Sequence, residues 1–354
     1  MKNIKIVIII LSLFLTLSAC KPIKNVDDKG EEIEEHFIEV EKIEKIHNME
    51  ISDWLNDETV VISKENNSVD KMELLELSEY YPRSLYLYNI NTKESKLLKE
   101  ERNLFLGGAT FSEDKNHLLY YEYALGDPAY YVMNIDTLDS FGVRGDNIGG
   151  AISARWDGNQ VIGVTYSNKI YEASSTGEII IIEDINEEGL YIARKVNDNI
   201  YYNTYIDENL IMINQDTKES IDLNIKHVYD LIPSPDGNKM LVLQNNGTKS
   251  TMIICDTDGS NQKTIAEGEE IEGVSWSPDN QMVAYNLQST VNNTTVNDLY
   301  IYDVLAAEST QLETDIQNVV SSSWSPTGDK LVYVEWDGEQ YTSSVVYLKL
   351  PLKK

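Results

Sequence analysis

The chain has 354 residues, of which 42% are hydrophobic, and a formal net charge of -30 at pH 7 from 29 basic and 59 acidic side chains. A surface this acidic repels nucleic acid and anionic membrane surfaces, so the composition argues against both as electrostatic partners. The length accommodates two ordinary domains or one long repeat array.

The first predicted element is a secretory signal over residues 1–19. Lys2 and Lys5 precede an apolar stretch at 6–17, which is shorter than the ~20 residues that a bilayer span needs. The stretch ends in Leu17-Ser18-Ala19-Cys20, which resembles the lipobox of bacterial lipoproteins. This resemblance implies that the Cys20 thiol is acylated and that Cys20 becomes the first residue of the mature chain. The alternative is an ordinary signal peptide with an incidental cysteine.

An acidic tether is predicted next, over residues 20–36, because the segment is dense in Asp, Glu and Lys. A partner-binding acidic tail is the alternative interpretation. A diacylglyceryl group on Cys20 would hold the chain stably, since two acyl chains anchor where one does so only marginally. We therefore expect a lipid-anchored protein on the extracytoplasmic side of the cell membrane.

From residue 37 to residue 354 the period-2 pattern of β-strands dominates, and one turn recurs within it. Clear copies are Phe111–Asp114, Pro233–Gly237, Trp276–Asn280 and Trp324–Gly328, and weaker copies begin at Trp54, Trp156 and Lys195. Most of the spacings fall near the roughly 40 to 50 residues of a four-stranded propeller blade. The repeat predicts an all-β fold, a β-propeller of seven four-stranded blades, with six or eight left open.

One repeat shows the predicted unit. Gly273–Trp276 and Met282–Tyr285 form an inner hairpin, Asp298–Asp303 is a third strand, and Thr310–Leu312 is a short outer strand. The sequences Trp276-Ser277-Pro278-Asp279 and Cys255–Asn261 resemble the repeats of TolB-type propellers. The resemblance covers nearly all of residues 37–354 and implies, by analogy of fold, a role in docking proteins.

The ring of blades is expected to close through the two ends of this domain. The last repeat reaches only a third strand near Lys349, and the segment Phe37–Ile46 could supply the missing outer strand. Pairing these segments would also hide sheet edges. A short helix is the alternative, because Ile33, Phe37, Val40 and Ile43 fit helical spacing as well.

Motifs that carry chemistry are scarce, and we predict no catalytic residues, no cofactor and no metal. The catalytic serine elbow, the zinc-binding helix, the phosphate loop and the paired-cysteine motif are all missing from the sequence. Asp256-Thr257-Asp258-Gly259 begins like a calcium loop but lacks its later ligands, so a hairpin turn is predicted. Cys255 is predicted to be a buried strand residue.

Two arginines are candidate ligand-binding residues. Arg155 and Arg194 fall at the ends of the first strands of consecutive repeats. There they could meet near the central channel and bind a carboxylate through paired hydrogen bonds. The alternative is that each pairs with one of the many local acids.

Two tyrosine pairs are the other candidates. Tyr80 and Tyr81 follow a long insertion that begins near Lys64, and Tyr130 and Tyr131 follow a Gly-Asp-Pro turn. Both pairs are predicted between second and third strands, so they should project from one face and suit peptide or sugar recognition. Alternatively, these rings simply pack between blades.

The sequence thus predicts a non-enzymatic scaffold that binds a protein, peptide or other ligand of the cell envelope. An enzyme acting on envelope glycan or peptide is the main alternative, and a structural assembly factor is a third. The identity of the ligand and the binding face stay open.

Overall fold

The computed structural model describes residues 38–350, apart from 146–148, 186–187, 206–207 and 292–293. These residues belong to the unit Ile38–Lys354. The predicted signal peptide, Cys20 and the predicted tether lie outside the described residues and remain predictions. Within the described ranges, no helix has the length and apolar character needed to cross a membrane.

Strands make up nearly all regular structure in this part of the chain, as the period-2 pattern predicts. A single 3-10 helix, Leu75–Leu77, lies in the first long loop among these residues. The strands are β1 (Glu39–His47), β2 (Glu50–Asn56), β3 (Thr59–Glu65), β4 (Arg83–Asn89), β5 (Ser95–Lys99), β6 (Phe105–Phe111), β7 (His117–Tyr123), β8 (Ala129–Asn134), β9 (Ser140–Gly142), β10 (Arg155–Asp157), β11 (Gln160–Val164), β12 (Lys169–Ser174), β13 (Ile179–Asp184), β14 (Leu190–Val196), β15 (Asn199–Thr204), β16 (Ile211–Asn214), β17 (Ser220–Asp222), β18 (Val228–Pro233), β19 (Lys239–Asn245), β20 (Ser250–Asp256), β21 (Lys263–Gly268), β22 (Glu270–Trp276), β23 (Met282–Val291), β24 (Thr294–Asp303), β25 (Glu308–Glu313), β26 (Asn318–Trp324), β27 (Lys330–Trp336) and β28 (Tyr341–Lys349).

The strands pair mostly with their sequence neighbours. Four sheets of four strands have the orders β10-β11-β12-β13, β14-β15-β16-β17, β18-β19-β20-β21 and β22-β23-β24-β25, and a further one has the order β1-β28-β27-β26. An eight-stranded sheet contains two antiparallel runs, β2 to β5 and β6 to β9, which meet at one parallel bridge between Arg83 and Phe105. Six runs thus consist of four consecutive strands. The last sheet instead combines β26, β27 and β28 with β1 from the start of the described chain.

The predicted turn-entry positions all lie in or directly at the end of first strands, namely β2, β6, β10, β14, β18, β22 and β26. Tryptophan at this position links neighbouring sheets, because its indole N–H donates to a carbonyl of the adjacent first strand. The bonds are Trp54 to Ser323 (3.3 Å), Trp156 to Thr110 (2.8 Å), Trp276 to Ile232 (3.1 Å) and Trp324 to Ser275 (3.3 Å).

The recurring turn is held by its serine. Ser277 is buried, its hydroxyl donates to Asp279 (2.7 Å), and it accepts the Met282 N–H (2.9 Å). The same arrangement occurs at Ser112 and Ser234, and at Ser325 with Asp329 as the acceptor. A buried N–H must find a partner, so the recurrence of Ser and Asp reflects strand-turn geometry rather than a ligand site.

Replacing Ser277 with alanine is expected to lower the free energy of unfolding by about 1–2 kcal/mol, because the buried Met282 N–H loses its acceptor. Chemical denaturation of the purified protein measures the change. Ser68→Ala, at an exposed position, is the matched control and should stay within about 0.5 kcal/mol of wild type. Equal stability of the two variants would contradict this account of the turn.

The segment after residue 38 is a strand, so the helical alternative is wrong there. β1 pairs antiparallel with β28, from Glu39 opposite Lys349 to His47 opposite Thr342. The apolar side chains of Ile38, Val40 and Ile43 face the core of the last sheet. A register shift between Val40 and Lys42 brings Val40 and Ile43 to the same face despite their spacing of three residues, so β1 is an edge strand with one face covered.

The apolar core lies between successive sheets. One cluster, for example, joins Ile192 and Tyr201 of β14 and β15 to Leu231 and Val242 of β18 and β19. Cys255 belongs to this cluster, where it is buried and free, as predicted. Burial raises the pKa of its thiol to about 12, so the thiol is protonated and unreactive near neutral pH.

Candidate functional site

A cavity lies where the first strands of the sheets come together, and we call it the axial cavity. It has two chambers, of about 670 and 270 Å³, which share Arg155, Val320 and Ser321. Residues of six first strands line it, including Glu50 of β2, Thr110 of β6, Arg155 of β10, Asp230 of β18, Glu272 of β22 and Ser321 of β26. Side chains far apart in sequence therefore meet in one space.

Both predicted arginines bind the same carboxylate. Arg194 donates to one oxygen of Asp230 (2.5 Å) and Arg155 donates to the other (3.0 Å). The Arg194 side chain is 9% exposed and also donates to the carbonyls of Leu231 and Ala193, whereas the Arg155 side chain is 51% exposed. The two arginines therefore lie close together, as predicted. The carboxylate that they bind is a side chain of the protein itself, which agrees with the alternative interpretation that they pair with local acids.

This triad shifts the pKa values of its members. Burial lowers the pKa of Arg194 to about 10, and the nearby charge of Arg155 adds to the shift. Burial alone would raise the pKa of Asp230, but Arg194, Arg155 and the Leu231 N–H outweigh it and hold the pKa below its ordinary value. Asp230 is therefore ionised at neutral pH, and Arg155 keeps donors free toward the cavity.

Two other carboxyl groups of the axial cavity have raised pKa values. Burial raises the pKa of Glu50, against the opposing effect of Arg83 at 3.6 Å. Burial and then the charge of Glu270 raise the pKa of Glu272, one of whose oxygens is buried without a hydrogen-bond partner. Among the described residues, no group of three His, Cys, Asp or Glu is placed to hold a metal ion.

An aromatic wall closes one side of the larger chamber. The Tyr121 ring lies on the backbone of Gly107 and Gly108, where a Cβ at Gly108 would come within 2.2 Å of the ring. Gly108 also has a φ of 56°, a conformation that favours glycine. Tyr341 and Tyr130 line the same chamber. Gly107-Gly108 in the sequence therefore marks a close approach between an aromatic ring and a strand.

The predicted tyrosines separate on folding. Tyr80 and Tyr81 lie in the loop before β4, as predicted, and Tyr80 makes an edge contact with Phe105. Tyr130 and Tyr131 lie within β8, so the prediction of a loop is wrong for this pair. Because strand neighbours face opposite ways, Tyr130 lines the axial cavity, while Tyr131 stacks on Tyr120, its cross-strand partner on β7.

The loops between second and third strands all lie at the end of the sheets where the first strands begin, and we call this end the loop face. Large side chains are exposed there in successive runs of four strands. They are Tyr80 (51% exposed), Leu125 (58%), Tyr166 (57%) and Tyr205 (65%). At the opposite end, the turn face, Leu138 and Leu305 are exposed.

The sequence patterns did not identify several residues of these sites. Asp230, Glu272 and Glu50 are single acids among 59 acidic residues, so nothing in the sequence singled them out. Tyr166 and Tyr205 occur alone in their loops, without the doublet that drew attention to Tyr80 and Tyr81. Aligning the loops by the recurring turn shows an aromatic residue in three of them, Tyr80, Tyr166 and Tyr205.

The predicted calcium-like segment is a turn. Asp256 ends β20, its carboxylate accepts from Lys239 (2.8 Å) and Asn261 (2.6 Å), and Gly259 takes a φ of 80°. The carboxylate that would begin a calcium loop is therefore occupied by the hairpin itself, as expected for a turn between third and fourth strands.

Antiparallel four-stranded runs, sheet-to-sheet cores and a cavity between first strands define a β-propeller fold, which resembles TolB-type and WD40-type propellers. No model of a protein family and no curated protein sequence matches the chain. Solved structures match it by fold.

One of them is oligogalacturonate lyase from Vibrio parahaemolyticus, with a TM-score of 0.62 and 11% sequence identity over 88% of this chain and 98% of that one. The Cps50 (Swd1) β-propeller domain from Myceliophteria thermophila has a TM-score of 0.57 and 13% identity, over 87% and 99%. TolB from Acinetobacter baumannii has a TM-score of 0.50 and 13% identity, over 84% and 65%. At these identities the likeness concerns the fold alone.

Proposed function

We propose that the domain is a propeller of seven four-stranded blades, closed by the pairing of β1 with β28. The blades are β2–β5, β6–β9, β10–β13, β14–β17, β18–β21, β22–β25 and β26–β28 with β1. Two contacts between the first and last blades support closure. Ile51 and Trp54 share a core cluster with Val332 and Val334, and the Trp54 indole bonds Ser323 as the other three tryptophans bond their neighbours.

The closed ring serves, in this proposal, as a non-enzymatic scaffold that docks a protein or peptide on its loop face. The arc of Tyr80, Leu125, Tyr166 and Tyr205 on blades 1 to 4 is the observation that carries it. Tyrosine is enriched at interfaces because it buries a large area at small entropic cost, and exposed apolar side chains at adjacent sites mark interaction surfaces. TolB supports a docking role by analogy of fold.

The scaffold is proposed to act outside the cytoplasm, held to the membrane by acyl chains on Cys20. The support comes from the sequence Leu17-Ser18-Ala19-Cys20 and from the acidic segment that follows it. Electrostatic attraction to the membrane surface would contribute little, since the chain is strongly acidic.

Photo-cross-linking in intact cells tests the docking proposal. Benzoylphenylalanine placed at Tyr80 or Tyr166 is expected to capture the same envelope protein, because both positions lie in the docking arc of the loop face defined above. The matched control is Leu305, which is 80% exposed on the turn face and should capture nothing specific. Mass spectrometry of the adducts identifies the partner.

The same experiment also tests the lipid anchor. Cys20→Ser removes the thiol that would be acylated, and it should reduce the yield of adducts formed from position 80. Docking on the loop face is refuted by equal capture from Leu305, or by adducts that contain only lipid and neighbouring copies of the chain.

An enzyme is the alternative, and one observation favours it. Glu272 has a raised pKa and an unpartnered oxygen, and it shares the smaller chamber with Arg155. A carboxyl group of this kind is a candidate acid or base. Turnover of envelope glycan or peptide by the purified protein, lost in Arg155→Ala or Glu272→Gln, would support the enzyme in place of the scaffold.

A further inference from the structure

A second cavity, distinct from the axial one in its chemistry, lies on the loop face between blades 4 and 5. Its volume is about 550 Å³. Tyr191, Asn203 and Tyr205 of blade 4 line one side, and His227, Asn245 and Gly247 of blade 5 line the other. The recurring turn does not explain this combination of aromatic, amide and imidazole groups, and only Tyr205 among them belongs to the docking arc.

Asn203 is the polar centre of this cavity. Asn203 is only 1% exposed, and its Nδ2 donates to the Val228 carbonyl at 2.6 Å. A carbonyl can only accept, so this bond fixes the orientation of the amide and leaves Oδ1 as an acceptor. Oδ1 is buried and has no hydrogen-bond partner. A buried acceptor without a donor costs free energy, and a bound hydroxyl or N–H would remove that cost.

Two rings flank this acceptor with their surfaces accessible. Tyr191 is 50% exposed and Tyr205 is 65% exposed. The Tyr205 ring is held against Gly189, where a Cβ would come within 2.4 Å of it. Its position is therefore set before a ligand arrives, which reduces the entropic cost of binding.

A histidine and a carboxylate complete the rim. His227 Nδ1 and Glu208 Oε2 are 2.7 Å apart, and both side chains are about half exposed. The His227 and Glu208 backbones are fixed as well, since Asn245 N–H donates to the His227 carbonyl and Val228 N–H donates to the Glu208 carbonyl. The pair offers a hydrogen-bond donor and an acceptor side by side.

We infer that this cavity binds a neutral saccharide. A sugar ring presents an apolar face to Tyr205 or Tyr191 and hydroxyl donors to Asn203 Oδ1, while the His227–Glu208 pair meets neighbouring hydroxyls. Apolar walls with few fixed polar groups are the usual form of a small-ligand site. The charge of -30 and the carboxylate on the rim disfavour an anionic sugar. This binding does not depend on protein docking at the loop face.

Titration of the purified full-length protein with chitotriose, cellotriose and maltotriose tests the inference by calorimetry and saturation-transfer NMR. At least one neutral trisaccharide is expected to bind saturably. Tyr205→Ala should weaken that binding about tenfold, which corresponds to about 1.4 kcal/mol. Trigalacturonate is the anionic comparator and should bind more weakly.

Leu305→Ala is the matched control, because Leu305 is exposed on the turn face, away from this cavity and from the arc of the loop face. It should leave the dissociation constant unchanged. Tyr191→Ala gives a second exposed substitution if Tyr205→Ala impairs folding. The inference fails if none of the three neutral sugars binds the wild-type protein, or if the blade 4 variants bind as the wild type does. Either result leaves the cross-linking experiment at Tyr80 unaffected.

Discussion

Asp230→Asn is expected to lower the free energy of unfolding by about 3 kcal/mol. The substitution keeps the shape of the side chain but removes the negative charge that faces two guanidinium groups. Arg194 would then be a buried cation beside a second cation, Arg155. Removing one partner of a buried ion pair typically costs about 3–5 kcal/mol, and the partial exposure of Asp230 places the expectation at the lower end. Chemical denaturation at neutral pH measures it.

Two controls separate burial from charge pairing. Asp256→Asn breaks an ion pair with Lys239 whose side chains are both more exposed, so it should cost less than about 1 kcal/mol. Arg155→Gln removes the exposed partner of the triad and should also cost less than about 1 kcal/mol, while leaving Arg194 paired with Asp230. If Asp256→Asn destabilised the protein as much as Asp230→Asn, the buried triad would not be the stabilising element.

The difference in unfolding free energy between the wild type and Asp230→Asn should depend on pH. The pKa of Asp230 is lowered in the folded protein, so the folded state holds fewer protons at this site than the unfolded state at acidic pH. Stability from the group is fully present above the unfolded pKa of about 3.9 and is lost as the pH falls through the folded pKa. The stabilities of the two proteins should therefore differ most near neutral pH, begin to converge as the pH falls below about 4, and become similar only below the folded pKa.

The strands and their grouping were readable from the sequence because the recurring turn is a local device. Ser277, Pro278 and Asp279 satisfy and shape one hairpin with residues close in the chain, so their types are constrained at every copy. The position of tryptophan at the end of the first strand follows from the same local geometry, although its hydrogen bond reaches a neighbouring sheet. Local constraints of this kind repeat, and repetition makes them visible.

The contents of the cavities were not readable in this way. Arg155 and Asp230 are 75 residues apart in sequence, and only the arrangement of the sheets brings them together. Tyr130 and Tyr131 were misplaced because a Gly-Asp-Pro turn precedes them, although their hydrogen-bonding partners put them inside β8. Asn203 stands in an ordinary run of strand residues, and its unpartnered oxygen is a property of packing alone.

Deleting residues 39–47 is expected to have the largest effect of any change considered, a loss of about 5 kcal/mol of unfolding free energy. The deletion removes β1 and with it the whole register against β28. It also removes the partly buried Val40 and Ile43, which pack against the core of the last sheet, and uncovers the buried Val346 and Leu348. Each buried aliphatic side chain contributes about 1.5–3 kcal/mol, and an uncovered strand edge invites association between copies.

Hydrogen exchange of the full-length protein tests where the damage occurs. If β1 closes the ring, the amides of β28 should exchange fastest in the deletion variant. The amides of β11 and β12, which do not pair with β1 or β28, should lose protection only with global unfolding. The matched control deletes nine residues of the predicted tether, 24–32, and should change neither stability nor exchange. Full protection of β28 without β1 would mean that β26, β27 and β28 are stable without a fourth strand, and would count against the proposed closure through the two ends.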